Sequence, residues 1–269
     1  MSDPLVSVVT PTYNRRAFLP GLIACYCHQT YPNLEWIVLD DGRDSVEDVF
    51  AAAALPTVRY VRVHEKMRIG AKRNELNRLA RGEIIVAMDD DDYYPPDRVA
   101  SVVAAFKDHP TIDLAGCSAM LMYARHAVYQ MPSLGPCHAT NGTMAWRASY
   151  AATHRYDEHC THAEEGSFLD QYKWPMIQLL PHETILVICH NDNTVDRTAF
   201  LDRPMRGPTI QRTSLRLEDI IQEPVLQAFY RGEVDVTPRV LEYAHHQSYH
   251  ATRTDANTSP PLGSRSTRD

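Results

Sequence analysis

The stretch from Glu83 to Asp92 limits the possible folds of this chain more than any other. Glu83-Ile84-Ile85-Val86-Ala87-Met88 runs on apolar and β-branched residues without alternation, the pattern of a buried strand, and Asp89-Asp90-Asp91-Asp92 follows at once. Adjacent like charges repel unless a cation sits among them. A strand end carrying clustered carboxylates suits a hard divalent ion with oxygen ligands, and a diphosphate can share that ion. The competing reading is a solvated acidic turn, because Tyr93-Tyr94-Pro95-Pro96-Asp97 also looks like a helix start with Pro in its first turn.

What precedes this stretch alternates strand and helix. Leu5 to Thr10 reads as a first strand ended by Pro11, and Ala17 to Gln29 has helical spacing at Phe18, Leu22, Ile23 and Tyr26. Glu35 to Leu39 is a second strand stopping at Asp40-Asp41-Gly42, and Val46 to Leu55 is helical. Val58 to Val63 is a third strand, and Gly70 to Arg81 is a basic amphipathic helix ended by Gly82. Such regular alternation implies a parallel sheet with right-handed crossovers. In these sheets the ligand lies at the carboxyl ends of the strands. Pro11-Thr12-Tyr13-Asn14, Asp40-Asp41-Gly42 and Asp89 to Asp92 would then converge on one crevice, which fits a nucleotide with a diphosphate. Tyr13 would stack on the base and Asp41 accept a hydrogen bond from base or ribose, although Asp-Gly also favours a plain turn.

The second half is less regular. Asp97 to His109 reads as a helix, Ile112 to Tyr123 as a strand or strand pair, and Leu134 to Trp146 as loop. Tyr150 to Asp170 is polar and helical in parts. Thr184 to Cys189 is one more apolar strand with His190-Asn191-Asp192-Asn193-Thr194 at its end, and Leu215 to Arg231 reads as a helix. From about His245 the composition turns to Ser, Thr, Pro and charge, which predicts a disordered tail over 246–269.

Composition narrows the function classes. With 269 residues, 44% hydrophobic and 23% charged, the chain has an ordinary globular composition and is long enough for one large α/β domain, or a domain with appendages. Its net charge of −7 gives no reason to expect electrostatic binding to nucleic acid or anionic membranes. No apolar run approaches the roughly 18 residues of a spanning helix, and Met1-Ser2-Asp3-Pro4 does not begin a secretory signal. A cytoplasmic protein without a transmembrane segment is expected. The six cysteines lack the paired spacing of a zinc site, so reduced thiols are expected.

Val6-Ser7-Val8-Val9-Thr10-Pro11-Thr12-Tyr13-Asn14, Leu39-Asp40-Asp41-Gly42, Gly70-Ala71-Lys72-Arg73-Asn74 and Met88-Asp89-Asp90-Asp91-Asp92 together resemble the successive signatures of family 2 glycosyltransferases. The resemblance spans about residues 5 to 200 and is strongest up to Arg98. It implies a GT-A fold, with a Rossmann-like, mostly parallel central sheet flanked by helices. Residues 1–98 would form the nucleotide-sugar half and 99–245 a variable acceptor half, in a single domain 1–245.

Carried onto this chain, the resemblance puts Pro11, Tyr13 and Asp41 around the nucleobase and Arg73 near the base or phosphates. Asp89 or Asp90 would contact the ribose, and Asp91, with Asp89, would be the metal ligand, the register of the four-Asp run being open by one. Ala163-Glu164-Glu165-Gly166 resembles the family's acidic pair whose second member is the catalytic base, here Glu165 in place of the usual Asp. Glu164 is the reserve, and a helix-start acidic pair is the competing reading. His190 with Asn193-Thr194 resembles a segment whose His completes the metal shell; a buried, hydrogen-bonded His is the alternative. Asn141, Trp146 and Trp174 would shape the acceptor site, or the tryptophans belong to the core.

The implied reaction is inverting transfer of a sugar from a nucleotide diphosphate, with UDP favoured, to an acceptor hydroxyl, assisted by Mn²⁺ or Mg²⁺. The sequence leaves the acceptor open among a glycan, a lipid-linked sugar, a protein and a modified nucleobase. A nucleotidyltransferase is the rival enzyme, but Pro11-Thr12-Tyr13-Asn14 lacks its glycine-rich phosphate loop. A catalytically inactive sugar-nucleotide or glycan-binding protein is the rival of another class.

Overall fold

The computed structural model describes residues 3–190, 193, 198–202, 209–233 and 237–244. The predicted tail over 246–269 lies outside the described residues, as does Thr194. The first half is β1 (Val6–Thr12), α1 (Leu19–Cys27), β2 (Leu34–Asp40), α2 (Glu47–Ala53), β3 (Val58–Arg62), α3 (Ile69–Leu79), β4 (Ile84–Ala87) and α4 (Arg98–Asp108). Then come β5 (Leu114–Gly116), β6 (Leu121–Ala124), β7 (Ala127–Gln130), a 3₁₀ turn at Asn141–Thr143, β8 (Ala145–Arg147), α5 (Ala148–Ala151) and α6 (Glu165–Phe168). The remainder is β9 (Ile177–Gln178), α7 (Pro181–Thr184), β10 (Leu186–Ile188), α8 (Ala199–Asp202), β11 (Gln211–Arg212), α9 (Leu217–Ile220) and α10 (Pro224–Tyr230), with 237–244 also helical.

The large sheet runs β3-β2-β1-β4-β8-β5-β9, and a second sheet runs β10-β6-β7-β11. Strands β1 to β4 pair in parallel, whereas β8 is antiparallel to both β4 and β5. The parallel part therefore brings Thr12, Asp40 and Ala87 to one edge. Side chains alternate across the sheet. Val6, Val8, Trp36, Val38, Ile84 and Val86 face α1 and α2. Val9, Ile37, Leu39, Ile85 and Ala87 face Leu76 of α3, Trp146, Tyr156 and Phe168.

Two elements differ from the sequence expectation for local reasons. Strand β1 continues through Pro11 to Thr12. The Val9 carbonyl accepts from Met88 N, so Pro11, two residues on, also faces β4, whose pairing with β1 ends at Val9 and Ala87. Its missing donor breaks no ladder bond. The segment Leu215 to Arg231 holds two helices rather than one, because Pro224 cannot extend α9 and instead occupies the first turn of α10. Among the described residues, no helix is long and apolar enough to cross a membrane.

Candidate active site

The carboxyl end of β2 carries two aspartates with different surroundings. Asp40 accepts from Gly42 N at 2.7 Å and from the Tyr60 hydroxyl at 2.6 Å, and it pairs with Arg62 at 2.8 Å. It clamps the turn after β2. Asp41 accepts from Met67 N at 2.6 Å and pairs with Lys72 Nζ, which also donates to the Thr12 carbonyl at 3.0 Å. Burial pulls the Lys72 ammonium below its ordinary value, and Asp41 opposes that shift. Tyr13 stands half-buried beside this pair, with Lys66 Nζ 4.1 Å and Lys72 Nζ 6.0 Å from its ring centroid, and Pro11 is buried.

Helix α3 joins the two halves of the crevice. Asn74 grips the backbone of Tyr156 from both sides: its Nδ2 donates to the carbonyl and its Oδ1 accepts from the amide, each at 2.9 Å. A Cβ on Gly70 would fall 1.9 Å from the Asp157 carbonyl oxygen, so only glycine allows this approach. Between these contacts lies Arg73, whose buried guanidinium donates to Glu164 Oε1 at 2.6 Å and to Asp89 Oδ1 at 3.1 Å. Burial opposes its charge, but Asp89 and Glu164 hold it above the ordinary range.

The four aspartates after β4 have four different sets of neighbours. Asp89 meets Arg73, and its amide donates to the Tyr94 hydroxyl at 2.7 Å. Asp90 is buried, and burial followed by the charge of Asp91 pushes its carboxyl up to about 7. Arg15 approaches Asp90 at 3.9 Å and Asp91 at 3.8 Å. Asp91 Oδ2 lies 2.8 Å from His190 Nε2 and accepts from Asn193 Nδ2 at 3.1 Å. Asp92 accepts from Ile188 N at 2.8 Å and so ties β10 to the acidic run. With Asp90 at 8% and Asp92 at 3% exposure, the run is not a solvated turn.

Among the described residues, no three His, Cys, Asp or Glu side chains converge to hold a metal ion. Asp91 and His190 do converge, and one carboxylate oxygen with one imidazole nitrogen suits Mn²⁺ when phosphate oxygens and water fill the other positions. Burial is the larger cause of the raised Asp90 carboxyl, with Asp91 adding to it, and a cation held nearby would favour its ionised form.

On the other side of Arg73, Glu164 is buried and Glu165 begins α6. Phe168 anchors that short helix by stacking on Tyr156 at 4.2 Å and meeting Trp146 edge-on at 5.2 Å. Burial raises the Glu165 carboxyl above its ordinary value; Glu164 adds to the shift and Arg73 tempers it. Asn141 is buried and donates to the Tyr156 hydroxyl at 2.9 Å. Trp146 belongs to the core, whereas Trp174 is 39% exposed, its ring edge-on to His154.

Comparison with known proteins finds a family match for the part of the chain that carries the first three strand ends and the acidic run. The model described as "Glycosyl transferase family 2" matches residues 7–121. Over those residues the chain is similar to family 2 glycosyltransferases. A putative colanic acid biosynthesis glycosyl transferase, WcaA of Escherichia coli, is 35% identical over 106 residues, covering 38% of each chain. Chondroitin synthase of Escherichia coli is 33% identical over 109 residues, 39% of this chain and 16% of that one. The chain thus spans well under half the length of these curated relatives. Among solved structures, S. aureus TarS 1-349 in complex with UDP-GlcNAc superposes with a TM-score of 0.59 at 16% identity, covering 96% of this chain and 76% of that one. The mannosyltransferase PcManGT from Pyrobaculum calidifontis, in complex with GDP-Man and Mn²⁺, gives 0.58 at 17% identity, covering 97% and 77%. The fold is GT-A, as the resemblance implies.

Several residues that shape the site carry no specific role in the sequence reading. Gly70 and Asn74 belong to the quoted motif, yet their task is to dock the 156–158 segment, a contact 82 positions away for Asn74 and Tyr156. Lys72 lies on the basic helix that the sequence predicts, where it would add positive charge to the crevice or stand solvated; it is 4% exposed and paired with Asp41. Its place beside a motif glycine was the available signal. Arg15 gave none, since a basic residue in a polar turn is ordinary.

Proposed function

We propose that this protein is an inverting glycosyltransferase that moves a sugar from a nucleotide diphosphate sugar to an acceptor hydroxyl. The observation that carries the reading is Arg73, which holds Glu164, the neighbour of Glu165, against Asp89 of the acidic run. A carboxylate pair from a distant helix thereby faces a nucleotide-type crevice, as transfer chemistry requires. In this reading Pro11, Tyr13 and Asp41 line the base pocket, Asp89 or Asp90 contacts the ribose, and Asp91 with His190, and Asp89 as the further candidate, would hold the cation. The TarS complex with UDP-GlcNAc supports UDP as the nucleotide, and the PcManGT complex supports Mn²⁺.

In the reaction the acceptor oxygen attacks the anomeric carbon from the face opposite the diphosphate. The new C–O bond forms as the bond to the diphosphate oxygen breaks, and the electron pair leaves with the diphosphate. Glu165 receives the acceptor proton, and its burial beside Glu164 makes it a stronger base than an exposed glutamate. Arg73 orients Glu164, and Arg15 sets a positive charge against Asp90 and Asp91. A bound divalent ion would supply Lewis-acid neutralisation of the diphosphate. Thiols outside any disulfide at Cys25, Cys117, Cys137 and Cys160 suit a reducing compartment, and we place the reaction in the cytoplasm.

A screen of nucleotide sugars for release of nucleotide diphosphate, with and without Mn²⁺, tests the reading. Release that depends on one donor class supports transfer. Binding of nucleotide sugars with no release under any condition would instead indicate a binding protein.

A further inference from the structure

Asp170, Gln171 and Tyr172 hold left-handed backbone in succession, with φ of 44°, 57° and 61°. Residues with a Cβ rarely adopt this conformation, least of all consecutively. Such strain persists where the surroundings over-determine it, and it gathers at ligand clamps. Here the turn is fixed by Gln171 N donating to the Gly166 carbonyl at 2.8 Å and Lys173 N donating to the Leu169 carbonyl at 3.3 Å. Its effect is to fold Tyr172 back over the helix that carries Glu165. The Tyr172 hydroxyl lies 3.6 Å from where a Cβ on Gly166 would stand. The ring stacks on His138 with centroids 4.9 Å apart and an interplanar angle of 26°. His138 is in turn seated by Ser118 Oγ, 3.1 Å from its Nδ1. Burial and the nearby charges of Glu165 and Glu164 hold the Tyr172 phenol above its ordinary range, in keeping with this placement.

The strained turn therefore presents a half-buried aromatic ring, backed by a second ring, at the side of the carboxylate taken as the base. A flat π-face with a hydroxyl and a carboxylate on its rim matches a molecule with an apolar C–H face and a rim of hydroxyls. Charge argues the same way. Glu164 and Glu165 both act on the Tyr172 phenol, while Arg73 is already engaged by Asp89 and Glu164. That surplus of negative charge disfavours a phosphate beside Glu165. Resting on the transferase reading above, we propose that Tyr172, backed by His138, is the platform on which a neutral sugar ring of the acceptor stacks, with its hydroxyl directed at Glu165. The acceptor is then a saccharide.

The test uses the full chain, the nucleotide sugar that supports release in the screen, and two acceptor arms. One arm holds the methyl glycosides of glucose, galactose, mannose and N-acetylglucosamine; the other holds undecaprenyl phosphate in detergent micelles. A glycoside should accelerate nucleotide diphosphate release. Tyr172→Ala should raise the KM for that glycoside about tenfold, with the KM for the donor unchanged, and Tyr172→Trp should restore it. Acceleration by undecaprenyl phosphate alone, by no acceptor, or by a glycoside whose KM ignores Tyr172→Ala would overturn the platform while leaving the transferase reading intact. Absence of release from every nucleotide sugar would remove both.

Discussion

His190 Nε2 lies 2.8 Å from Asp91 Oδ2 although 99 positions separate the two residues. Asp91 follows β4 of the large sheet, and His190 follows β10 of the small one. Asp92 fixes their relation by accepting from Ile188 N two residues before His190. One aspartate of the run thus positions the partner of its neighbour.

If this pair holds the cation, UDP binding requires one. Calorimetry with UDP should show heat with Mn²⁺ and little or none in EDTA. Asp91→Asn should behave in Mn²⁺ as the unaltered chain does in EDTA. Equal affinity under both conditions would remove the metal from the account.

Lys72 and Asp41 are both buried, with side chains 5% and 1% exposed. Lys72→Met leaves an uncompensated carboxylate in the interior and should cost about 3–5 kcal/mol of stability, read by urea unfolding. A change below about 0.5 kcal/mol, the usual range of a surface substitution, would mean that water reaches the pair.

Docking of the 156–158 segment onto α3 rests on Gly70 and Asn74. Asn74→Ala removes both grips on Tyr156 and strands a buried amide and carbonyl, so a loss of about 1–3 kcal/mol is expected. Because the same docking brings Glu164 to Arg73, turnover should fall further than UDP affinity. Parallel losses in the two would place Asn74's influence on the donor side alone.

Glu165 must be deprotonated to accept a proton, and burial raises its carboxyl first, with Glu164 adding to it. Turnover should therefore rise with pH along a limb displaced above the ordinary glutamate value of about 4.3. Glu164→Gln removes a neighbouring negative charge, which stabilises the ionised form of Glu165 and moves that limb to lower pH. A pH profile of kcat for both chains checks the sign; a limb that moves upward or stays put would contradict it.

The parallel half of the fold was legible because its signals are local. The apolar run before Asp89 and the turn residues after β2 each declare a strand end, and four strand ends of a parallel sheet have only one edge to share. The site's long-range contacts were not legible in the same way. Nothing around Asn74 says that its amide grips Tyr156. The helical spacing of α3 could not reveal Lys72 as buried either, because only the tertiary partner Asp41 makes that burial tolerable.

The left-handed turn at Asp170 to Tyr172 is hidden for a related reason: no glycine marks it, so its φ values are set by packing rather than by residue type. Pro11 shows the converse, a local breaker overruled because the neighbouring strand ends before it.

The most direct test is Glu165→Gln, which keeps the size of the side chain and removes the base. Measured together, kcat should fall by roughly 10²–10⁴, the range of a general base, while UDP affinity in Mn²⁺ stays at the level of the unaltered chain. Turnover close to that of the unaltered chain would show that another group takes the proton. Loss of UDP affinity would assign Glu165 to the donor side of the crevice.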